Sequence, residues 1–307
     1  MGRITVVGSF VTDMVATMPR FPEAGETILG ERLRVYPGGK GANQCVAVRR
    51  LGGDAAMVGM LGKDENGEKF LSLFREEGID VSHVYRTEEE PTSVAQVQID
   101  GRGRNRICVI PGANYCLTVQ HLQDARAAIC ASSMVIAQME LRPEVTEALA
   151  RLCAESGVPF MLNPAPAAPL SDAVLRCVSY LTPNETELAL ISGLPTDTDA
   201  QVEKACDSLL ARGVRNIVAT LGSRGAYVAG EAGRGMAEGF RVEAVDTVAA
   251  GDSFNGALAV ALSEGKPVFE AVRFANAMGA LTVQKRGAIP SLHTRSEVEA
   301  FLRAHGG

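Results

Sequence analysis

The stretch Ala244–Gly256 reads AVDTVAAGDSFNG, and the interpretation of the whole chain starts from it. Val242 and Val245 end an apolar run of the kind that forms a strand, and the segment from Phe254 has the composition of an apolar helix. Between these two segments lie three residues with almost no side chain, followed by Asp252. The pattern predicts a tight turn that leads from a strand into a helix beginning at Asp252.

Such a turn predicts a site for an anion. Ala249, Ala250 and Gly251 allow the backbone to approach a ligand closely, and the first N–H groups of a helix have no partner within the helix. These donors and the positive end of the helix dipole favour a phosphate or a developing negative charge. Asp252 at the mouth of this site can accept a proton from an attacking hydroxyl. The alternative is that Asp252 only caps its helix, which is a common role for aspartate.

The composition is that of a globular protein, with 46% hydrophobic and 21% charged residues in a chain of 307. A net charge of −6 argues against broad binding to nucleic acid or to anionic membranes. Seven scattered cysteines without a CxxC pair indicate reduced core thiols, and neither a signal peptide nor a membrane span is recognisable. We therefore expect a cytoplasmic protein with no nucleic-acid or membrane partner.

The first part of the chain predicts a small sheet beside the main fold. A buried strand at Ile4–Gly8 is followed by a loop at Ser9–Asp13 and by a partly exposed strand over Thr27–Tyr36. Two further strands, Val94–Asp100 and Arg106–Ile110, flank a Gly-Arg-Gly turn, which is typical of a hairpin.

From Thr118 onward helical and strand patterns alternate, which predicts βαβ units around a mainly parallel sheet. The predicted helices are Val119–Ala131, Pro143–Ser156, Asn184–Ser192, Ala200–Arg212, Ser253–Glu264, Pro267–Lys285 and Ser296–Ala304. The predicted strands are Met134–Met139, Pro159–Asn163, Val178–Thr182, Asn216–Leu221 and Ala226–Ala229. Ligands of such sheets bind beyond the carboxyl ends of the strands, and short polar motifs follow four of these strands.

Several motifs contain groups suited to a sugar or to a cation, each with a simpler alternative. Gly38–Gln44, which reads GGKGANQ, lacks the spacing of a phosphate loop and can be a turn with a helix cap. Asp13 together with Asn43 can bind vicinal hydroxyls, whereas a lone aspartate in a loop is usually a turn residue. Glu187 in the first turn of a helix can hold hydrated Mg²⁺ or can complement the helix dipole.

Two late segments are less specific. Thr220–Gly225 is a strand-to-turn segment whose small residues can admit a nucleotide. The turn Gly287–Ser291 can join Asp246 around a cation, or it can be a simple loop. The four histidines occupy predicted surface positions without triad partners, so a serine or cysteine hydrolase has little support.

Taken in order, nine motifs of this chain resemble the PfkB (ribokinase-like) carbohydrate-kinase family. They are GSFVTD, PGGKGANQ, PGAN, QME, NPAPA, PNETE, TLGSRG, AVDTVAAGDSFNGAL and KRGAIPS, and the resemblance runs from about Ile4 to about Leu302. The resemblance implies a ribokinase-like α/β fold, with a mainly parallel central sheet flanked by helices and a small antiparallel β lid. It implies a single kinase domain over residues 1–307, with lid strands within about 10–36 and 93–110, and a homodimer formed through the lid.

The resemblance also implies roles for individual residues. Asp252 matches the catalytic base, and Ala249, Ala250 and Gly251 match the anion hole. The sugar-binding positions correspond to Val11, Asp13, Gly38, Gly39, Lys40, Asn43 and Glu140. The positions near ATP and its Mg²⁺ correspond to Asn184, Glu187 (through water), Thr220, Gly222, Ser223, Gly225, Gly251 and Asn276. The monovalent-cation site, expected to take K⁺, corresponds to Asp246, Val248, Thr282, Lys285, Gly287 and Ser291.

The function implied is ATP-dependent phosphorylation of the 5-hydroxyl of a pentose, with D-ribose ranked first. The chain departs from the family at Val11, where an Asn that reaches the sugar's 2-hydroxyl is common. A kinase for 2-deoxyribose or another small sugar is therefore one alternative. An inactive sugar- or nucleotide-binding regulator is another, although such a protein has no need of Asp252 as a base. A nicotinamide dehydrogenase is disfavoured because the first strand lacks a following G-x-G-x-x-G.

Overall fold

Two sheets with helices around the larger one make up residues 2–306, the part of the chain that the computed structural model describes. The strands are β1 (Arg3–Val7), β2 (Val11–Thr17), β3 (Arg32–Gly38), β4 (Asp54–Gly62), β5 (Asp80–Thr87), β6 (Val94–Ile99), β7 (Asn105–Ile110), β8 (Met134–Ala137), β9 (Phe160–Leu162), β10 (Tyr180–Leu181), β11 (Asn216–Thr220), β12 (Gly225–Gly230) and β13 (Gly235–Glu238). The helices are α1 (Lys40–Arg50), α2 (Glu65–Glu76), α3 (Val119–Asp124), α4 (Arg126–Cys130), α5 (Pro143–Ser156), α6 (Asp172–Leu175), α7 (Glu185–Ser192), α8 (Asp199–Ala211), α9 (Ala250–Ser263), α10 (Val268–Thr282) and α11 (Arg295–Ala304).

The main sheet has nine strands in the order β13-β12-β11-β10-β9-β8-β1-β4-β5. From β11 to β5 every neighbouring pair is parallel, and only the pairs β11–β12 and β12–β13 at one edge are antiparallel. The fold class predicted from the sequence, a mainly parallel sheet flanked by helices, is therefore confirmed.

The core lies in two layers because alternate residues of a strand point to opposite faces of the sheet. In β1, Val6 packs into the layer that contains α1, α9 and α10, whereas Val7 packs into the layer that contains α5 and α8. Both faces are covered, so the central strands are apolar at nearly every position.

Helices α1 and α9 approach each other closely in the first of these layers. A Cβ atom at Gly256 of α9 would lie 2.6 Å from the Cβ of Ala47 in α1. Only glycine allows this approach, which brings the first turns of both helices to the same end of the sheet.

The small sheet has the strand order β3-β2-β6-β7. Its outer pairs are antiparallel, as expected for a small antiparallel lid, but its central pair β2–β6 is parallel. The reason is that β2 and β6 follow β1 and β5, which run in the same direction in the main sheet. The predicted bounds were wrong at two places: most of the predicted loop Ser9–Asp13 belongs to β2, and the strand predicted over Thr27–Tyr36 spans Arg32–Gly38.

Other predictions about local structure were also wrong. No strand forms around Val242 and Val245, and α9 begins at Ala250 rather than at Asp252. The apolar run there is a loop whose residues 245 and 246 both donate a backbone N–H to the carbonyl of Val283. Strands β5 and β13 were missed, and the predicted helix Val119–Ala131 is split into α3 and α4.

The predicted environments of some side chains differ as well. His293 is 5% exposed, although all four histidines were predicted on the surface. All seven cysteines are free, but only Cys45, Cys153 and Cys206 are buried, and Cys108 on β7 is exposed. None of the helices described between residues 2 and 306 combines the length and apolarity needed to cross a membrane.

Candidate active site

A cavity of about 970 Å³ lies between the carboxyl ends of the parallel strands and the inner face of the small sheet. The segments that follow β8, β9 and β10 contribute to its floor, as the positions of the polar motifs predicted. Side chains at alternate positions of β2, β3, β6 and β7 form its roof.

Asp252 lies on the cavity floor in the first turn of α9 and is 7% exposed. Its Oδ2 accepts a hydrogen bond of 2.8 Å from Asn43 Nδ2, and its Oδ1 accepts one of 3.1 Å from Gln44 Nε2. The side chain makes no capping bond to the backbone of its own helix. The arrangement therefore supports a carboxylate held for another purpose rather than a simple helix cap.

The turn before Asp252 exposes backbone donors at the start of α9. Ala249 has φ of 61° and is the one non-glycine residue between 2 and 306 with positive φ, a conformation that needs support from its surroundings. Gly251 lines the cavity, and within the described part of the chain neither its N–H group nor that of Asp252 has a backbone acceptor. These free N–H groups at a helix N-terminus fit the predicted anion hole.

Four carboxylates surround the single lysine of the cavity floor. Lys40 Nζ lies 4.0 Å from Glu140 Oε1, and although burial lowers the pKa of Lys40, the carboxylates of Asp252, Glu140, Glu187 and Asp13 raise it overall. Burial, with a smaller contribution from Glu140, raises the pKa of Asp13 to about 6 against the opposing charge of Lys40. The ionised form of Asp13 is therefore stabilised by the neighbouring ammonium group of Lys40.

The GGKGANQ segment packs directly on β2. A Cβ atom at Gly38 would lie 2.5 Å from Asp13 Oδ2, so this glycine makes room for the carboxylate and does not itself line the cavity. Gly39 has φ of 91°, and a Cβ there would lie 2.6 Å from the backbone nitrogen of Val11. Glu140 secures the start of α1 by accepting a bond of 3.1 Å from the Lys40 N–H.

At the other end of the cavity, Asn184 and Glu187 cap α7 reciprocally through two bonds of 2.8 Å between side chain and backbone. Both residues also line the cavity together with Thr220, and burial raises the pKa of Glu187. Asn276 lies outside the cavity, where its Nδ2 donates to the carbonyls of residues 237 and 238 at β13.

Asp246 joins the two loops of the predicted cation site. Its carboxylate accepts from the N–H of Val248 at 3.1 Å and from the N–H of Gly287 at 3.0 Å. Ser291 is fully buried and donates its hydroxyl to the carbonyl of Ala288 at 2.7 Å, which leaves oxygen lone pairs free. Thr282 and Lys285 lie outside the cavity, and the Lys285 ammonium pairs with Glu297 at 3.8 Å.

Most of the predicted site residues therefore meet in one cavity. Those that line it are Val11, Asp13, Gly39, Lys40, Asn43, Glu140, Asn184, Glu187, Thr220, Asp246, Val248, Ala249, Gly251, Asp252 and Gly287. Those that do not are Gly38, Gly222, Ser223, Gly225, Ala250, Asn276, Thr282, Lys285 and Ser291.

Four polar residues at the base of the cavity were not predicted as site residues. Gln44, Gln138 and Asn163 form a buried amide network with Asp252, and Asn255 donates to the carbonyl of Gly251 at 2.8 Å. Each of these residues belongs to a motif that was noted, but the partners of Gln44, Gln138 and Asn163 lie far away in the sequence.

Comparisons with known proteins agree with this geometry. The model of the family described as pfkB family carbohydrate kinase matches residues 1–295. Ribokinase from Haemophilus influenzae is 37% identical over 299 residues, covering 97% of this chain and 98% of that protein. The structure of Arabidopsis thaliana ribokinase with ribose and ATP matches with a TM-score of 0.94 and 32% identity, covering 98% of this chain and 99% of the other. Ribokinase from Thermotoga maritima matches with a TM-score of 0.89 and 36% identity, covering 99% and 100%. The predicted family and a carbohydrate-kinase function are thus confirmed.

Proposed function

The chain belongs to the pfkB family of carbohydrate kinases, and from that premise we propose that it transfers the γ-phosphoryl group of ATP to the 5-hydroxyl of a pentose, with D-ribose ranked first. The observation that carries this proposal is the position of Asp252, a buried carboxylate beside free N–H groups at the start of α9. The named relatives and the ribose- and ATP-bound neighbour support the choice of substrates.

In the proposed reaction Asp252 takes the proton of the sugar's 5-hydroxyl while the oxygen of that hydroxyl attacks the γ-phosphorus. The bond between that phosphorus and the bridging β–γ oxygen breaks, and ADP leaves. Phosphoryl transfer needs mainly positioning and charge stabilisation from a protein. The N–H groups of Gly251 and Asp252 can supply the charge stabilisation. A preorganised donor in a water-excluded site stabilises the transition state by about 3–4 kcal/mol.

The sugar is proposed to bind between β2 and the start of α1. Asn43 Oδ1 is buried and has no hydrogen-bond partner among the residues described, which leaves an acceptor for a sugar hydroxyl. Asp13 and Glu140 add carboxylate acceptors near Lys40. The small sheet above them excludes water, which would otherwise compete for the phosphoryl group.

The nucleotide is proposed to lie along the segments after β10 and β11, beside Asn184 and Thr220. Glu187 fits hydrated Mg²⁺, because one of its oxygens is engaged at the helix cap while the side chain still faces the cavity. When bound, Mg²⁺ would neutralise charge on the ATP phosphates. Gly222, Ser223 and Gly225 would approach the nucleotide from the turn outside the cavity.

A K⁺ ion is proposed between the two loops that Asp246 joins. The oxygen-rich surroundings, with a carboxylate, backbone carbonyls and the buried Ser291 hydroxyl, suit a hard monovalent cation. The residues that would hold it include Asp246, Val248, Thr282, Lys285, Gly287 and Ser291. Bracing these loops would preserve the conformation of Ala249 and hence the N–H donors.

A homodimer through the small sheet is also proposed. Leu33 and Val35 are 60% and 49% exposed on the face of β3 that points away from the cavity, since Arg32, Arg34 and Tyr36 point into it. Both β3 and β7 are edge strands in the described structure. Exposed apolar side chains on a sheet with open edges favour a second copy as partner.

Replacing Asp252 tests the proposed function. Asp252→Asn should retain the fold and sugar binding but lose kcat by a factor of about 10² or more, because the general base is removed. The measurement is ADP release with ribose and ATP, accompanied by calorimetric sugar binding. Near-normal turnover by the folded variant would exclude Asp252 as the base, and a wild type that binds ribose without turnover would favour the inactive regulator.

The second prediction concerns Val11, which lines the cavity in place of the usual Asn. Apolar sites discriminate weakly, so 2-deoxyribose should be used with kcat/KM within about 200-fold of ribose. Val11→Asn should favour ribose further by about 1 kcal/mol, the value of a net hydrogen bond. The measurement is kcat/KM for both sugars on both variants. If the ratio does not move, Val11 does not face the 2-position of the sugar.

Adding K⁺ at constant ionic strength should raise the rate, since the cation would brace the loops beside the anion hole. Tetramethylammonium, which is too bulky to enter, serves as the control ion. Asp246→Asn should lose most of the response to K⁺ while remaining folded. Equal rates in the two salts with the wild-type protein would remove the cation from the proposal.

The proposed dimer predicts a dimeric mass by light scattering at micromolar concentration. Val35→Glu should shift that mass toward the monomer, because the substitution buries a charge in the interface. Leu190→Glu is the matched control, since Leu190 is also 49% exposed but lies on α7. A monomeric and fully active wild-type protein would contradict the dimer.

A further inference from the structure

The geometry points to Gln44 as a positioning residue that orients the Asp252 carboxylate through a hydrogen bond to its Oδ1, with Asn163 as the anchor that fixes the orientation of Gln44. This inference rests on the proposed function, in which Asp252 receives the proton of the sugar hydroxyl. Gln44 is fully buried and does not line the cavity, so it acts through Asp252 rather than on the substrate.

The orientation of this amide network is set at the sheet. Asn163 Nδ2 donates to the backbone carbonyl of Thr182 at 3.1 Å. A carbonyl can only accept, so Asn163 must turn its Oδ1 toward Gln44. Gln44 Nε2 donates to that Oδ1 at 3.2 Å, which means that Gln44 has to present its NH₂ group on this side.

The same NH₂ group reaches the proposed base. Gln44 Nε2 donates to Asp252 Oδ1 at 3.1 Å, while Gln44 Oε1 accepts from Gln138 Nε2 at 2.7 Å. Both polar atoms of the Gln44 side-chain amide are therefore engaged. Its orientation is fixed by Asn163 and Gln138 and does not depend on Asp252. The network therefore offers Asp252 Oδ1 a fixed hydrogen-bond donor and no acceptor.

At the far end of the network, the fixed orientation of the amides leaves one buried oxygen without a donor. Gln138 Oε1 is buried and has no partner within residues 2–306. Gln138 must direct its NH₂ group to Gln44 Oε1, so its own oxygen is turned away from every donor. An unsatisfied buried carbonyl is unusual, and here it follows from a donor chain that ends at Asp252.

The test is Gln44→Glu, which nearly preserves the shape but replaces the donor with an acceptor and adds a negative charge beside Asp252. The acid limb of the kcat–pH profile should move upward by about one pH unit or more. At a given pH on the acid limb kcat should be about tenfold lower than that of the wild type, with recovery toward the wild-type value on the plateau at higher pH. The sugar KM should change by less than about threefold, because Asp13 and Asn43 are untouched.

The matched control is Gln201→Glu, the same chemical change in the exposed capping box of α8. Its pH profile should be that of the wild type. Gln44→Met is a second variant for the case in which the glutamate does not fold. It removes the donor without adding charge, so it should lower kcat and shift the acid limb upward by a smaller amount.

The outcomes separate this inference from the proposed function. A folded Gln44→Glu protein with the wild-type pH profile would overturn the positioning role. Equal losses of kcat at every pH in both Gln44 variants would also overturn it, because they indicate an effect on packing alone. If Asp252→Asn is inactive while Gln44→Glu behaves as wild type, only the positioning role fails. If Asp252→Asn remains active, the proposed base fails and the positioning role with it.

Discussion

The burial of the Asp252 carboxylate is the constraint on which the site depends. A carboxylate removed from water needs hydrogen-bond donors, and here both oxygens receive them from consecutive side chains of α1. Those side chains reach Asp252 only because α1 and α9 pack in near contact at Gly256 and Ala47. The same carboxylate therefore requires a close helix pair, a glycine in α9 and the particular residues that open α1. A larger side chain at Gly256 would separate the helices and leave the charge without donors.

The second constraint lies in the backbone before α9. Ala249 adopts a left-handed conformation that costs an alanine about 1 kcal/mol or more. The loop keeps that conformation because Asp246 ties it to Val248 and Gly287, and because the carbonyl of Val283 binds residues 245 and 246. The strain and its support place free N–H groups toward the cavity. Asp246 thus supports the backbone N–H donors, and Asp252 lies beside them. Both roles require a position close to the turn, so the two acidic residues belong to a single stretch of sequence.

The sequence predicted the parts of this arrangement that local patterns determine. Polar motifs after apolar strands predicted that these segments meet at the carboxyl ends of a parallel sheet, where the structure has a cavity, and the small residues before Asp252 predicted a tight turn. The amide network could not be predicted from such patterns, because Gln44 is 208 residues from Asp252 and 119 from Asn163. The strand expected before Ala249 failed for a related reason: residues 245 and 246 are held in a loop by the carbonyl of Val283, just after α10, a contact that no local pattern records. The parallel pairing of β2 with β6 likewise depends on the directions of β1 and β5 in the main sheet.

The structure places the proposed base and the roof of the cavity on different elements of the fold. Asp252 lies on α9 and its two donors lie on α1, whereas Val11 and Asp13 lie on β2, a strand of the small sheet. Asn114 positions the start of β2 through two bonds to the backbone of Phe10, so the strand is fixed without help from the base. A change at Val11 can therefore alter which hydroxyl the cavity satisfies while the carboxylate and its donors stay in place. Because β2 also forms part of the roof, Val11 and Asp13, which are proposed to contact the sugar, belong to the element that covers the cavity. In the proposed function this arrangement would couple sugar recognition to the exclusion of water.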